Sequence, residues 1–329
     1  MLAEQKNRII VIDWTKAMVG DASLDWRPTA SFEILRQRAA FLKKVRQFFE
    51  QKEVLEVETP LLVSYSNPDF HIEHFSVDSN PQLFLHSSPE LAMKRLLAAG
   101  SGPIFQITKV FRKNEFGRLH RQEFTMLEWY QTGITYHQLM DAVHELLEFV
   151  GIQRSSTKLT YLQAFQQYSG LDIAKADESA LKKYVDNAAI ELVGFNAISK
   201  DLLLELILTE KVEPHLGQDC MTFLYDYPAS QAAMAKVRDG VYPVAERFEL
   251  YFQGVEIANG YQELTDSTLL KQRFEHAIRS GLISTSGLDP QFFAAIDSGL
   301  PECSGVAIGL DRLFMLYSGC SKIQQVMSL

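Results

Sequence analysis

Between Phe105 and Tyr130 the chain reads FQITKVFRKNEFGRLHRQEFTMLEWY. Its first eight residues alternate and end on Arg112. A second alternating run, Glu123 to Tyr130, brings the chain back. The pattern predicts two strands joined as a hairpin. Turning alone takes about two to five residues, yet Lys113 to Gln122 interposes a mostly polar loop of ten. Lys113, Arg118, His120 and Arg121 equip that loop to hold an anion. A solvated surface loop that happens to be basic is the alternative.

Upstream, Ser31 to Gln51 has helical periodicity, with Ile34, Leu35, Leu42, Val45, Phe48 and Phe49 on one face and Arg36, Lys43, Lys44 and Arg46 opposite. VLEVETP then alternates as a strand and stops at Pro60. LFLH at 83–86 is strand-like. His71 and His74 form an H-x-x-H pair that fits solvated loop histidines better than a metal site with no third ligand. Ser87-Ser88-Pro89-Glu90 opens a helix, with serine as N-cap, proline in the first turn and Glu90 favoured by the helix dipole.

Beyond Tyr130, YHQLMDAVHELLEFVG predicts an amphipathic helix ending at Gly151. Residues 152–215 predict three more helical segments without recognisable chemistry, a helical insertion within one domain. Strand signals return at CMTFLYDYP. In ERFELYFQGVEIANGYQEL, Glu249, Glu256 and Glu263 recur every seven residues, but Gly254, Asn259-Gly260 and the aromatic content predict strands and a turn. On antiparallel strands these carboxylates can approach one cavity. Carboxylates in an apolar sheet need cations, either Mg²⁺ or an amine. A solvated sheet face is the alternative. Finally, Gly305–Ile308 predicts a small apolar strand turning at Gly309 into a helix that carries Arg312. The glycines let a flat ring or a phosphate reach the backbone.

The net charge, 32 − 41 = −9, argues against a long surface tracking nucleic-acid phosphates but leaves room for a local basic pocket. The three cysteines, Cys220, Cys303 and Cys320, lack metal-ligand spacing and point to a reducing compartment. No apolar run approaches a membrane span, so a cytoplasmic protein is expected.

In this order the pieces resemble the class II aminoacyl-tRNA synthetases. The helix and strand ending at Pro60 resemble motif 1. Phe111-Arg112 with the loop to EFTMLEWY resembles motif 2, and GVAIGLDR at 305–312 resembles motif 3. SPEL, HRQEFTMLEWY and EIANGYQEL are similar to the lysyl-tRNA synthetases. The resemblance covers nearly all of residues 30–320. Only about 30 residues precede the motif 1 helix, too few for an anticodon-binding barrel. That narrows the resemblance to the stand-alone paralogues, the elongation factor P–(R)-β-lysine ligases. A leader over 1–30 and a catalytic domain over 31–329 are expected.

The resemblance implies an α+β fold, an antiparallel sheet flanked by helices, with ATP bent over the sheet. It implies activation of (R)-β-lysine or lysine by ATP with Mg²⁺, transfer to a lysine of elongation factor P, and a homodimer. By resemblance, Arg112 bridges the substrate carboxylate and α-phosphate, and Arg312 covers the adenine and reaches the γ-phosphate. Glu249 and Glu256 hold Mg²⁺, Ile257 lies beside the nucleotide, and Gly309 leaves room for the ring. Glu263 and Tyr130 take the terminal ammonium, Glu90 in the Ser88-Pro89-Glu90 turn the other amine, and Asn259 the carboxylate end.

Lys113, Asn114 and Arg121 belong to the ATP-binding loop. Asn114 replaces the usual motif 2 glutamate, and Arg121 the usual asparagine. Ser88 and Ala307 replace the alanine and glycine usual in lysyl-tRNA synthetases, at the pocket where α- and β-lysine differ; a methyl there is worth ~1–3 kcal/mol. Two other readings remain: a truncated paralogue that charges tRNA, and a non-catalytic metabolite sensor.

Overall fold

The computed structural model describes residues 27–68, 72–190, 198–279 and 287–328. Most of the expected leader and His71 of the H-x-x-H pair lie outside them. Helix α1 (Phe32–Gln51) starts at Ser31, whose Oγ accepts the Ile34 amide at 3.2 Å and satisfies a first-turn donor. It buries Phe41, Val45, Phe48 and Phe49 along one stripe. The strand that follows, β1 (Leu55–Glu56), pairs parallel with β5 (Ile104–Phe111). Between them β2 (Leu62–Val63), β3 (Ser76–Val77) and β4 (Leu83–Leu85) form a small sheet in the order β2-β4-β3.

Helix α2 (Glu90–Ala98) differs from expectation at its start. Pro89 holds the cap position with no side-chain cap. Ser88 Oγ accepts the Glu90 amide at 3.0 Å and donates to Glu128 Oε2 at 2.7 Å. The hydroxyl is thus committed to a buried carboxylate as well as to the helix.

Strands β5 and β6 (Glu123–Thr132) form the predicted hairpin, in register from Ile104↔Tyr130 to Phe111↔Glu123. The Arg112 amide donates to Gln122 O at 2.8 Å and closes the neck of the loop. Helix α3 (Tyr136–Val150) begins with a Thr135–Gln138 capping box and ends at Gly151, φ 111°, as capping rules require.

The 152–215 region holds helices α4 (Tyr161–Tyr168), α5 (Glu178–Asn187) and α6 (Lys200–Ile207). It also holds a strand, β7 (Ser156–Thr160), paired parallel with β8 (Met221–Pro228). STKLT is half exposed at a sheet edge, so it carries no apolar alternation to read. Then come β9 (Val237–Arg238), β10 (Val244–Phe252), β11 (Val255–Gln262), α7 (Ser267–Arg279), α8 (Pro290–Gly299), β12 (Cys303–Gly309) and α9 (Leu310–Tyr317).

Among the described residues the main sheet has nine strands in the order β1-β5-β6-β12-β11-β10-β8-β7, with β9 on β10. Its neighbours are antiparallel except β1 with β5 and β7 with β8. One face packs Leu127, Trp129, Val306, Ile308, Phe248 and Leu250 against α1, α3 and α9. The other face is covered in two places. Helices α2, α7 and α8 cover Ile104, Tyr130 and Cys303, and α4, α5 and α6 cover Leu224, Tyr227 and Tyr251. Between these two groups Asn259, Ala307 and Gly309 keep partial exposure. The uncovered strip is where a ligand can lie.

A β-bulge decides which side chains reach that strip. Leu250 pairs with Ala258, but Tyr251 pairs with Glu256, so Ile257 is an extra residue on β11. Period-two alternation would put Glu256 opposite Asn259. The extra residue turns Glu256 to the same face as Asn259 and Glu249. Spacing by seven along a hairpin therefore brings carboxylates to one side, where strict alternation would split them.

Close approach across the core face requires Gly260. A Cβ there would lie 2.6 Å from the Phe248 ring and 2.8 Å from Gly305 O. Gly260→Ala is expected to destabilise the fold by about 1–3 kcal/mol through overpacking, seen as a lower urea midpoint. An unchanged midpoint would mean that Phe248 swings aside freely.

Candidate active site

The strip joins two ends of opposite character. At one end, Arg112 leaves the hairpin with its guanidinium 5.2 Å from the Phe124 ring and 3.6 Å from Glu115. Its Nε is buried without a hydrogen-bond partner. Arg312, in the first turn of α9, donates from Nε to Leu119 O at 3.1 Å and from Nη1 to Glu256 O at 3.2 Å. The Glu256 carboxylate is 3.7 Å away. Both arginines act on His120, whose pKa burial lowers first and their charges lower further. The hairpin loop thus brings one predicted basic residue into the field of both arginines. At Gly309 a Cβ would meet only Arg312 Cβ and Cδ, at 4.0 Å, so packing does not demand the glycine.

Lys113 and Asn114 are held differently. Lys113 bridges to Glu73, and Asn114, at φ 66°, donates to Glu73 Oε2 at 2.8 Å. Arg121 lines a separate cavity of about 500 Å³ with Arg38, Lys109, Phe116 and Met327. Arg38 comes from α1, so this cavity lies toward the helix-covered side of the hairpin.

Glu249 and Glu256 come together beside the arginines. Glu249 is buried, paired with Arg247 and hydrogen-bonded by Tyr251 Oη at 2.6 Å. Arg247 Nε also donates to Asn259 Oδ1 at 3.2 Å, and its guanidinium lies 4.5 Å from the Tyr227 ring. Burial, then Glu249, pushes the Glu256 carboxyl up to about 7. Glu213, from the 152–215 region, shares Tyr251 Oη at 3.1 Å. It too is pushed up to about 7, by burial and then Glu249. Among the described residues no group of three or more His, Cys, Asp or Glu is arranged to hold a metal. Three carboxylates, Glu213, Glu249 and Glu256, share two guanidinium groups, Arg247 and Arg312, so the donor set fits a hard dication whose shell phosphate oxygens can complete.

At the other end is a buried acidic pocket. Glu90 and Glu263 both reach Lys94 Nζ, each at 2.6 Å. Glu128 accepts from Ser88 and, at 2.6 Å, from Tyr130 Oη. Burial, then Glu90, pushes Glu128 up to about 8. Burial also raises Glu263 to about 7, although Lys94 opposes it. Gly305 lets the pocket close up: a Cβ there would collide with the Tyr130 ring and lie 2.6 Å from Glu263 Oε1.

Lys94 and Glu128 did not stand out in the sequence, though each carried a signal. Lys94 is four residues from Glu90 on one helix. Glu128 is two from Tyr130 on one strand and so faces the same way. Arg247 carried the same signal, two residues from Glu249 on one strand, whereas nothing local marks the contact of Glu213 with Tyr251.

A family model described as tRNA synthetases class II (D, K and N) matches residues 17–329. The chain belongs to that family of class II synthetase-type enzymes. Curated relatives narrow the class. Elongation factor P–(R)-β-lysine ligases of Vibrio parahaemolyticus and Proteus mirabilis are 42% and 41% identical over 92% of this chain and 97% of their own length. That of Pseudoalteromonas translucida is 43% identical with the same coverage. Within the class the chain falls among these ligases, which use ATP. Among the described residues no helix is long and apolar enough to cross a membrane.

Raised carboxyl pKa values make stability depend on pH with a definite sign. Glu128, Glu213, Glu256 and Glu263 hold protons when folded that they would release when unfolded. Stability from them is present below their ordinary carboxyl range and is lost as pH rises toward 7–8. His74, His86, His120 and His137, all lowered, act oppositely as pH falls through about 6.5. From pH 6.5 to 8.5 the ligand-free melting temperature should therefore fall, and less steeply in Glu128→Gln. A rise over that window would contradict the assignment.

Proposed function

We propose that the protein couples ATP to (R)-β-lysine as the adenylate and transfers it to a lysine side chain of elongation factor P. The observation that carries this reading is the pairing of a buried acidic cluster with a two-arginine end on one strip, in a chain over 40% identical to ligases named for that reaction. Glu263, Tyr130 and Glu90 receive the substrate amines, with Ser88 and Pro89 shaping the turn that carries Glu90. Asn259, steadied by Arg247, faces the carboxylate end.

Arg112 bridges that carboxylate and the α-phosphate, while Arg312 covers the adenine above Gly309 and reaches the γ-phosphate. Ile257 contributes its backbone beside the nucleotide. Glu249 and Glu256 would hold Mg²⁺, which neutralises phosphate charge when bound. Lys113 and Asn114 would have to leave Glu73, and Arg121 its cavity, to touch ATP. Ser88 and Ala307 set the fit for the β-amine.

Activation needs no general base. The substrate carboxylate is already an anion at pH 7. Its oxygen attacks the α-phosphorus in line, and diphosphate leaves. The chain's contribution is orientation and charge neutralisation. Transfer requires the acceptor lysine as a neutral amine, which attacks the carbonyl and releases AMP.

Incubation with ATP, (R)-β-lysine and elongation factor P should add one lysyl mass to the acceptor. An unmodified acceptor, or label retained on tRNA instead, would overturn the reading. Motif 1 residues also support a homodimer: Phe32 at the start of α1 is 69% exposed, and Leu55, Leu61 and Leu62 after that helix are exposed too. Light scattering at low micromolar concentration should give about twice 37.4 kDa; the monomer mass would refute it.

A further inference from the structure

No step of the reaction uses His74. The sequence suggests a solvated loop histidine, but the ring is half-buried, and both its nitrogens are shut away without a hydrogen-bond partner. Buried polar groups left unpaired are few in folded proteins, and each needs a reason. Two more stand nearby. Asn67 is 3% exposed with Nδ2 unpartnered, and its main chain lies against His74. Arg112 Nε is unpartnered too.

Backbone pairing puts His74 beside Arg112. Glu73 and Lys113 form an antiparallel bridge, in which the Lys113 amide donates to Glu73 O at 2.9 Å. Their side chains turn to solvent and pair at 3.8 Å. The next residues inward, His74 and Arg112, stand opposite each other and face the other way. Arg112 is the charged group that acts on His74: burial lowers the pKa of the ring most and the guanidinium lowers it further, while the Asn67 main chain leans the other way. The ring is therefore neutral at pH 7, with one nitrogen able to accept a proton. His120 differs, because Arg312 acts on it more than Arg112 does, which sets it toward the phosphates. His74 answers to Arg112 alone, the arginine placed at the reacting carboxylate.

We propose that His74 is the general base of the transfer step, taking the proton from the acceptor lysine's nitrogen as it bonds to the activated carbonyl carbon. This rests on the ligase reading above and deepens it. The lysine enters as its neutral amine. The nitrogen–carbon bond forms, the bond from the carbonyl carbon to the phosphate oxygen breaks, and AMP leaves with that electron pair. The surplus proton on nitrogen passes to the ring and from there to water. Glu73, next to His74, is tied to Lys113 and Asn114. When ATP draws those two away, the strap that carries His74 loosens, so the base is uncovered after the nucleotide has bound.

Three rates separate the steps. Exchange of pyrophosphate into ATP with (R)-β-lysine reports activation. Hydroxamate formation reports attack on the adenylate by hydroxylamine, a nucleophile already neutral at pH 7. Mass gain on elongation factor P reports transfer. In His74→Gln the kcat of transfer should fall about a hundredfold, with exchange and hydroxamate formation within about threefold of wild type. In His74→Ala, added imidazole should raise transfer about tenfold or more.

Transfer at the wild-type rate in both variants would overturn the proposal. So would an equal loss in all three rates, which would place His74 in activation or in the frame of the site. A loss confined to the KM for elongation factor P would overturn it as well, making His74 a docking residue. A wild-type protein that supports exchange but leaves elongation factor P unmodified would overturn the ligase reading itself.

Discussion

A carboxylate carried into a protein interior must be paired, hydrogen-bonded or protonated. This sheet carries several on one face. Glu249, Glu256 and Glu263 reach that face together because Ile257 is an extra residue on β11. Glu128 joins them from β6. The cations brought to meet them, Arg247, Arg312 and Lys94, come from three different elements. The arrangement of helices follows from the same need. Two groups of helices cover the ends of the face and leave its middle open, so the charge that the protein does not match faces a strip a ligand can fill.

The two ends of the strip differ in how their charges are met. Near the hairpin, guanidinium groups stand free enough to accept anions, and paired carboxylates suit a dication. Near α2, protein hydroxyls and one ammonium serve three carboxylates, which suits amines. A zwitterion with extra amines and a polyanionic nucleotide would lie in one sense only along such a gradient. Orientation of this kind supplies most of what adenylate formation needs.

Much of this was legible in the chain. The hairpin and helices α1 and α3 follow from local rules, and each stands within about two residues of its expected bounds. Non-local features were harder to read. Strand β7 owes its existence to pairing with β8, across more than sixty residues of sequence, and its own residues are half exposed. Ser88 was read as a helix cap because serine before a helix usually is one; its hydroxyl also serves Glu128, forty residues away. Lys94 lies one helical turn from Glu90, but its second partner, Glu263, comes from just past the far end of β11. Arg121 sits in a basic loop, but the loop's course turns it toward Arg38 and Lys109.

The central claim is that charge polarity along the strip dictates how both substrates lie. A crystal structure of the protein soaked with ATP and (R)-β-lysine tests it directly. The account requires an ammonium of the amino acid within hydrogen-bonding distance of Glu263 Oε1 and the phosphates between Arg112 and Arg312. A triphosphate seated beside Lys94, or an amine seated between Glu249 and Glu256, would contradict it.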